Sequence, residues 1–127
     1  MCLLDAVVGW SATAITCRAS SHLSPDNPLR RAGRLAGVCG IEYGLQAAAL
    51  HGALSSGSKQ PPGYLAALRD VEIRAERLDD PSLGELHVTA TQEMQSPGGL
   101  IYRFVVGSSA GTDLLSGRAT IVLPPAP

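Results

Sequence analysis

The sequence predicts an α+β domain in which a curved antiparallel sheet wraps one long central helix. Three observations predict it. Strand-like segments with alternating character stand on both sides of a single small-residue run, AGVCGIEYGLQAAALHG at positions 36–52. That run has helical character and carries only one charge, Glu42. No second run of comparable length is available to cover the apolar face of a sheet, which must be buried against something. At 127 residues the chain fits one domain, 1–127, with a single core.

The elements follow in order. MCLLDAVVGW reads as a strand that starts almost at the first residue. SATAITCRAS alternates as its hairpin partner, with Ala12, Ala14 and Thr16 on one side and Thr13, Ile15 and Cys17 on the other. Between Ser21 and Leu35 runs SHLSPDNPLRRAGRL, rich in turn formers and longer than a packed domain keeps without purpose. The helix is expected from about Gly37 to about Leu54, ended by SSGSKQPPG. Four strand-like segments follow: GYLAALRDVEIRAE, GELHVTATQEM, LIYRFVVGSS and DLLSGRATIVL, with turn signals such as LDDPSLG and QSPGG between them. The tail PPAP cannot join a central strand. Two strands, a loop, one helix and four strands are most economically arranged as a hotdog fold.

Composition excludes several function classes. The chain is 45% hydrophobic and 17% charged with a net charge of −1, a globular balance without the basic stripe that nucleic acid requires. One Trp, three Tyr and one Phe are too few for base-stacking platforms. Cys2, Cys17 and Cys39 are odd in number and form no C-x-x-C pair, so neither a disulfide framework nor a zinc site is expected, and a reducing cytoplasm fits best. The start lacks a basic n-region and has Asp5 within its apolar stretch, unlike a signal peptide, and no apolar run is long enough for a membrane span.

Glu42 poses the chemical question, because a carboxylate among small apolar residues must be paired, hydrogen-bonded or kept protonated. At about 100° per residue it shares a helix face with Val38, Leu45, Gln46 and Ala49, so Gln46 is placed to hydrogen-bond and orient it. Gly37 and Gly40 fall in the first helical turn, where glycine does not favour helix formation. One reading is that they admit a ligand to the free N–H groups of Gly37 and Val38, as a site for a developing oxyanion. The other is tight packing of helix on sheet. A base would still be needed; for His22, at the head of the loop, one reading is that base and the other is a solvated loop histidine. His51 reads as structural or surface, and His87, on the polar alternation of its strand, as solvent-exposed.

GVCGIEYGLQ, preceded by a proline-rich loop containing a histidine, resembles the bacterial beta-hydroxyacyl-acyl-carrier-protein dehydratases. In that family a helix opens at a glycine, carries Asp or Glu, and has Gln one turn later; Gly37, Glu42 and Gln46 match. CLLDAVV, H-x-x-x-DNPLR, GIEYGLQAAALHGAL, GYLAALRDV and LLSGRATIVL look most similar to the ApeP-like dehydratases linked to aryl-polyene pathways. The interval from His22 to Glu42 is several residues longer than in the main fatty-acid dehydratases, with NPLRRA filling it. Family members usually carry a helical segment and a PH-x-G stretch ahead of CLLD, so the resemblance implies a late start here and an acyl tunnel open on one side.

The resemblance implies dehydration of a beta-hydroxyacyl thioester, carried by acyl carrier protein or coenzyme A, in a homodimer whose site is shared between chains. His22 removes the alpha proton. Glu42, protonated through burial, releases the hydroxyl as water. The Gly37 or Val38 N–H polarises the thioester carbonyl, with Gln46 in support. No metal or redox cofactor is needed; phosphopantetheine arrives with the substrate. A hotdog thioesterase with Glu42 activating water, and a non-catalytic hotdog subunit of a heterodimer, are the alternatives.

Overall fold

The computed structural model describes residues 2–56 and 63–124. Its strands are β1 (Ala6–Trp10), β2 (Ala14–Ala19), β3 (Tyr64–Ile73), β4 (Leu86–Ser96), β5 (Gly99–Gly107) and β6 (Asp113–Val122); its one long helix, α1, runs Gly40–Ser56. They form one six-stranded sheet in the order β1-β2-β4-β5-β6-β3. Every neighbouring pair is antiparallel. The helix packs across β4 and β5 and reaches β2 and β6, which is the hotdog arrangement. Most of SSGSKQPPG and of the PPAP tail lies outside the described residues.

Alternation in the strands builds the core. Ile15, Cys17 and Ala19 of β2 are buried, as are Leu86, Val88 and Ala90 of β4 and Leu100, Tyr102, Phe104 and Val106 of β5. Pairing aligns Ile15, Ala90, Phe104 and Gly117 in one row across four strands. Opposite residues of a ladder share a face, so this row forms the floor on which α1 lies.

The helix contributes its smallest residues to that contact. Gly44, Ala47 and Ala48 are buried beside Tyr43. A Cβ at Gly44 would stand 2.3 Å from Cδ1 of Phe104, so the ring occupies the space where a side chain would begin. His51, expected to be structural or at the surface, is structural. It is buried, with Nδ1 2.6 Å from the Tyr102 hydroxyl and Nε2 2.9 Å from the Ser11 carbonyl oxygen. His87 is exposed on β4.

Strand β4 runs on to Ser96 and β5 starts at Gly99, both inside the expected turn QSPGG, and two further boundaries near the site differ from the sequence reading. Strand β1 begins at Ala6. Just ahead of it, the Asp5 carboxylate accepts from the N–H and Oγ of Ser20 at 2.9 and 2.6 Å, and so ties this segment to the loop. The helix takes α geometry only at Gly40, after a single 3-10 turn at Gly37–Cys39. The cause is tertiary: the Gly37 N–H donates to the Glu76 carbonyl at 2.9 Å, tethering the entry turn to the chain beyond β3.

Strand β3 is an edge. It pairs with β6 on one side, and Tyr64, Leu65, Leu68 and Ile73 are exposed along it. No helix among the described residues is long and apolar enough to cross a membrane.

The Gly44–Phe104 contact yields the first prediction. Gly44→Ala should destabilise the protein by roughly 1–3 kcal/mol through overpacking. Gly52→Ala, where a Cβ meets nothing within 4 Å, should instead stabilise it by up to about 1 kcal/mol. Urea unfolding midpoints measure both, and equal stability of the Gly44 variant would refute the close contact.

Candidate active site

The loop that carries His22 is held by a chain of side-chain hydrogen bonds. Asn27 Nδ2 donates to the Ser21 carbonyl at 3.0 Å and to the Tyr43 hydroxyl at 3.1 Å. The Tyr43 and Ser21 hydroxyls are 2.7 Å apart, and Ser21 Oγ donates to the Leu3 carbonyl at 2.7 Å. With the Ser21 hydrogen on Leu3, Tyr43 must be the donor to Ser21, so donors run in one direction from Asn27 to Leu3. Burial pushes the Tyr43 phenol above its ordinary value, which keeps that donor proton in place. Asn27 Oδ1 accepts from the Leu29 N–H at 2.9 Å, and the amide is satisfied on both ends.

His22 lies fully buried on the turn this network holds. Its Nε2 is 2.7 Å from the carbonyl oxygen of Gly84, in the connection between β3 and β4. A carbonyl only accepts, so in the neutral ring Nε2 carries the hydrogen and Nδ1 presents a lone pair. Nδ1 is buried and hydrogen-bonds to none of the described residues. An unpaired buried polar atom costs free energy, and such a group invites a functional explanation. Burial pushes the imidazole below its ordinary value of 6.5. The Gly84 carbonyl and Asp5 oppose this more weakly, and Arg30 adds a downward push. The neutral, proton-accepting form is therefore favoured near pH 7.

Gly84 holds this bond in a conformation that suits glycine. Its φ is +66°, and a Cβ there would lie 2.2 Å from Ser109 Oγ. A side chain would displace the carbonyl that orients His22.

Glu42 occupies a different environment from the one expected. It is exposed on the single chain, and its carboxylate makes no hydrogen bond or ion pair with the described residues. The reason is rotational. Tyr43 turns inward to meet Ser21 and Asn27, and Glu42, about 100° round the helix, is carried outward. Gln46 is not devoted to Glu42: its Oε1 accepts from the Leu3 N–H at 2.8 Å, which anchors the segment before β1.

The two backbone donors also separate. The Gly37 N–H is used by Glu76, and a Cβ at Gly37 would stand 1.8 Å from the Ala75 carbonyl oxygen. Gly37 therefore fits the packing reading and offers no free oxyanion donor, which corrects its assignment. The Val38 N–H donates to none of the described residues. Val38 is half exposed and lines a cleft of about 470 Å³ between Ala36–Val38 and Ile73, Arg74, Ala75 and Glu76. This cleft opens beside the end of β3. Sequence reasoning passed over Asn27, Tyr43, Asp79 and Gly84; the only signal was their place in DNPLR, IEYG and LDDPSLG, which mark turns without naming side-chain partners.

Fold and site together define a hotdog domain with a buried histidine on the loop that Tyr43 bonds to its central helix, and the solved structures that share this fold include dehydratases and thioesterases alike. A family profile for ApeP-like proteins, described as ApeP dehydratase, matches residues 1–127, and the chain belongs to that family. Among solved structures it is similar to the dehydratase heterocomplex ApeI:P from Xenorhabdus doucetiae, at 21% identity and TM-score 0.82, covering 97% of this chain and 83% of that one. It is also similar to a mutant thioesterase from Pseudomonas aeruginosa, at 12% identity and TM-score 0.71, covering 94% and 81%. A zebrafish thioesterase superfamily member 2 matches at 15% identity and TM-score 0.69, covering 93% and 80%. At these identities the likeness is one of fold. No curated protein matches the chain.

The buried imidazole makes stability depend on pH. Unfolded His22 takes up a proton at its ordinary value of 6.5, whereas the folded ring resists protonation to a lower pH. Stability should therefore be full above that value and decline as pH falls from it through the folded value. Thermal midpoints between about pH 8 and about pH 5 should show the decline, and His22→Asn should flatten it. An unchanged slope in the variant would remove His22 as its source.

Proposed function

We propose that this protein dehydrates a beta-hydroxyacyl thioester to the trans-2-enoyl thioester. The observation that carries this reading is the buried His22, neutral and tautomerically held by Gly84, with an unpartnered lone pair on Nδ1. Membership of the dehydratase family supports it.

In the reaction, His22 Nδ1 takes the proton from the alpha carbon, and the electron pair left behind develops as enolate charge on the thioester oxygen. The Val38 N–H, free at the mouth of the cleft, stabilises that oxygen. The protonated Glu42 carboxyl gives its proton to the beta hydroxyl, the C–O bond breaks, and water leaves as the alpha–beta double bond forms. His22 then returns its proton to the Glu42 carboxylate, directly or through water. The thioester itself acidifies the alpha carbon and phosphopantetheine belongs to the substrate, so no cofactor is required.

On this reading a second chain covers the exposed Glu42. Strand β3 offers an unpaired edge with Tyr64, Leu65, Leu68 and Ile73 exposed, next to the cleft at Val38. Such an edge pairs readily with another strand. A homodimer joined there would bury Glu42 and complete each site with a residue of the partner subunit, raising its carboxyl into the protonated form that the reaction needs. The ApeI:P structure is a heterocomplex, which makes a related hotdog chain the alternative occupant of this edge.

Glu42→Gln should preserve folding and assembly while abolishing hydration and dehydration of acyl-carrier thioesters. His22→Ala should lower turnover by about a hundredfold or more, and His87→Ala should leave it unchanged. Because His22 and His51 are buried, His22→Ala and His51→Ala should also lose stability, which a denaturation curve separates from lost chemistry. The exposed Glu42 equally suits activation of water. Release of free thiol from a saturated acyl thioester, read by thiol trapping, would establish a thioesterase instead. Inactivity of the isolated chain with activity restored by a partner would establish a supporting subunit.

A further inference from the structure

The segment DNPLR, which the reaction scheme leaves without a role, ends in a half-buried arginine directed at the backbone of His22. Arg30 Nη2 donates to the His22 carbonyl at 3.1 Å, Nε to the Ser24 carbonyl at 2.8 Å and Nη1 to the Gly33 carbonyl at 2.9 Å. Behind it stands Asp79, whose side chain is almost wholly buried, with Oδ2 3.5 Å from Arg30 Nη1. Asp79 is itself held by Arg77 Nε and Nη2 at 2.9 and 2.5 Å and by the Leu35 N–H at 3.1 Å. The Arg77 bonds first of all, with the Leu35 N–H in support, hold its carboxyl far below the usual carboxylate range, so the anion persists at every working pH.

We propose that Arg30, anchored by Asp79, is the positioning residue of the base: one guanidinium bonds the carbonyls of His22, Ser24 and Gly33 and so holds the imidazole in its buried orientation towards Gly84. This rests on His22 being the base. It follows from the geometry of the donors. One guanidinium meets three carbonyls of the loop through Nε, Nη1 and Nη2, a planar fork that the compact ammonium of a lysine does not reproduce. Asn27, Tyr43 and Ser21 hold the other side of the same turn, so His22 lies between two sets of bonds, one to the helix and one to Asp79.

The charged and polar groups that bear on His22 set the sign of the expected change. Asp5, ahead of β1, and the Gly84 carbonyl favour the protonated ring; burial and the Arg30 charge disfavour it. Removing Arg30 takes away a repelling charge and lets water reach the ring, and both raise the imidazole towards its ordinary value.

The test compares Arg30→Gln and Arg30→Lys with the unaltered protein, by imidazole NMR titration of His22 and by steady-state kinetics on a beta-hydroxyacyl thioester. In Arg30→Gln the His22 titration should move up by roughly half a pH unit or more, with the acid limb of the pH–rate profile moving with it. Its kcat should fall by about tenfold to a hundredfold with KM nearly unchanged. Arg30→Lys, which keeps the charge beside Asp79 but loses the fork, should show a smaller titration shift and a kcat between the two. If Arg30→Gln does not fold, the Arg30→Lys comparison decides alone. An unmoved titration with unchanged kcat in the folded variants overturns the proposal. The NMR readout needs no activity, so failure of the dehydratase reading would appear separately, as absence of dehydration by the unaltered protein, and failure of His22 as the base as full turnover by His22→Ala.

Discussion

A close approach of helix to sheet, with the Phe104 ring filling the space beside Gly44, governs the rest of this domain. It draws α1 onto the floor of the sheet and sets its rotation about its own axis. With Gly44, Ala47 and Ala48 facing the sheet, Tyr43 must point inward to the loop and Glu42 must point out. Packed interiors do not tolerate small rotations, because every neighbouring row would lose its fit. The orientation of both polar residues is thus a consequence of apolar packing one and two positions away.

The residues proposed for the site are divided between layers. His22 belongs to a loop bonded to the helix through Asn27, Tyr43 and Ser21, and to the β3–β4 connection through Gly84 and Asp79. Val38 belongs to the entry turn, which Glu76 tethers to the chain beyond β3. Three separate stretches of sequence therefore meet around one imidazole. Such a convergence makes the loop long for a physical reason: it has to reach the helix, the β3–β4 connection and the segment before β1, and each of those bonds offsets part of the entropy of ordering it.

Much of the fold was legible from local pattern. Strand-like segments at 63–76 and 113–123 contain β3 and β6, those at 84–94 and 100–109 cover β4 and β5 but for Gln95, Ser96 and Gly99, and one small-residue run became α1. Glycine in that run was legible too, although its meaning was not. Gly37 is a packing residue whose N–H is spent on Glu76, while the N–H of its neighbour Val38 meets no acceptor among the described residues. Nothing in GVCG distinguishes the two, because the distinction is made by a carbonyl some forty residues away.

By itself, then, the sequence determined the period of each segment, the single helix and hence the antiparallel sheet around it, and the presence of one histidine and one carboxylate near the helix start. These depend on spacing within a turn or a strand, which is local. Only the tertiary structure decided that His22 is buried with Nδ1 open, that Glu42 faces outward, and that Gln46 holds Leu3. Burial and hydrogen-bond partners depend on which distant backbone atoms the packing brings within about 3 Å, and no local periodicity encodes that distance.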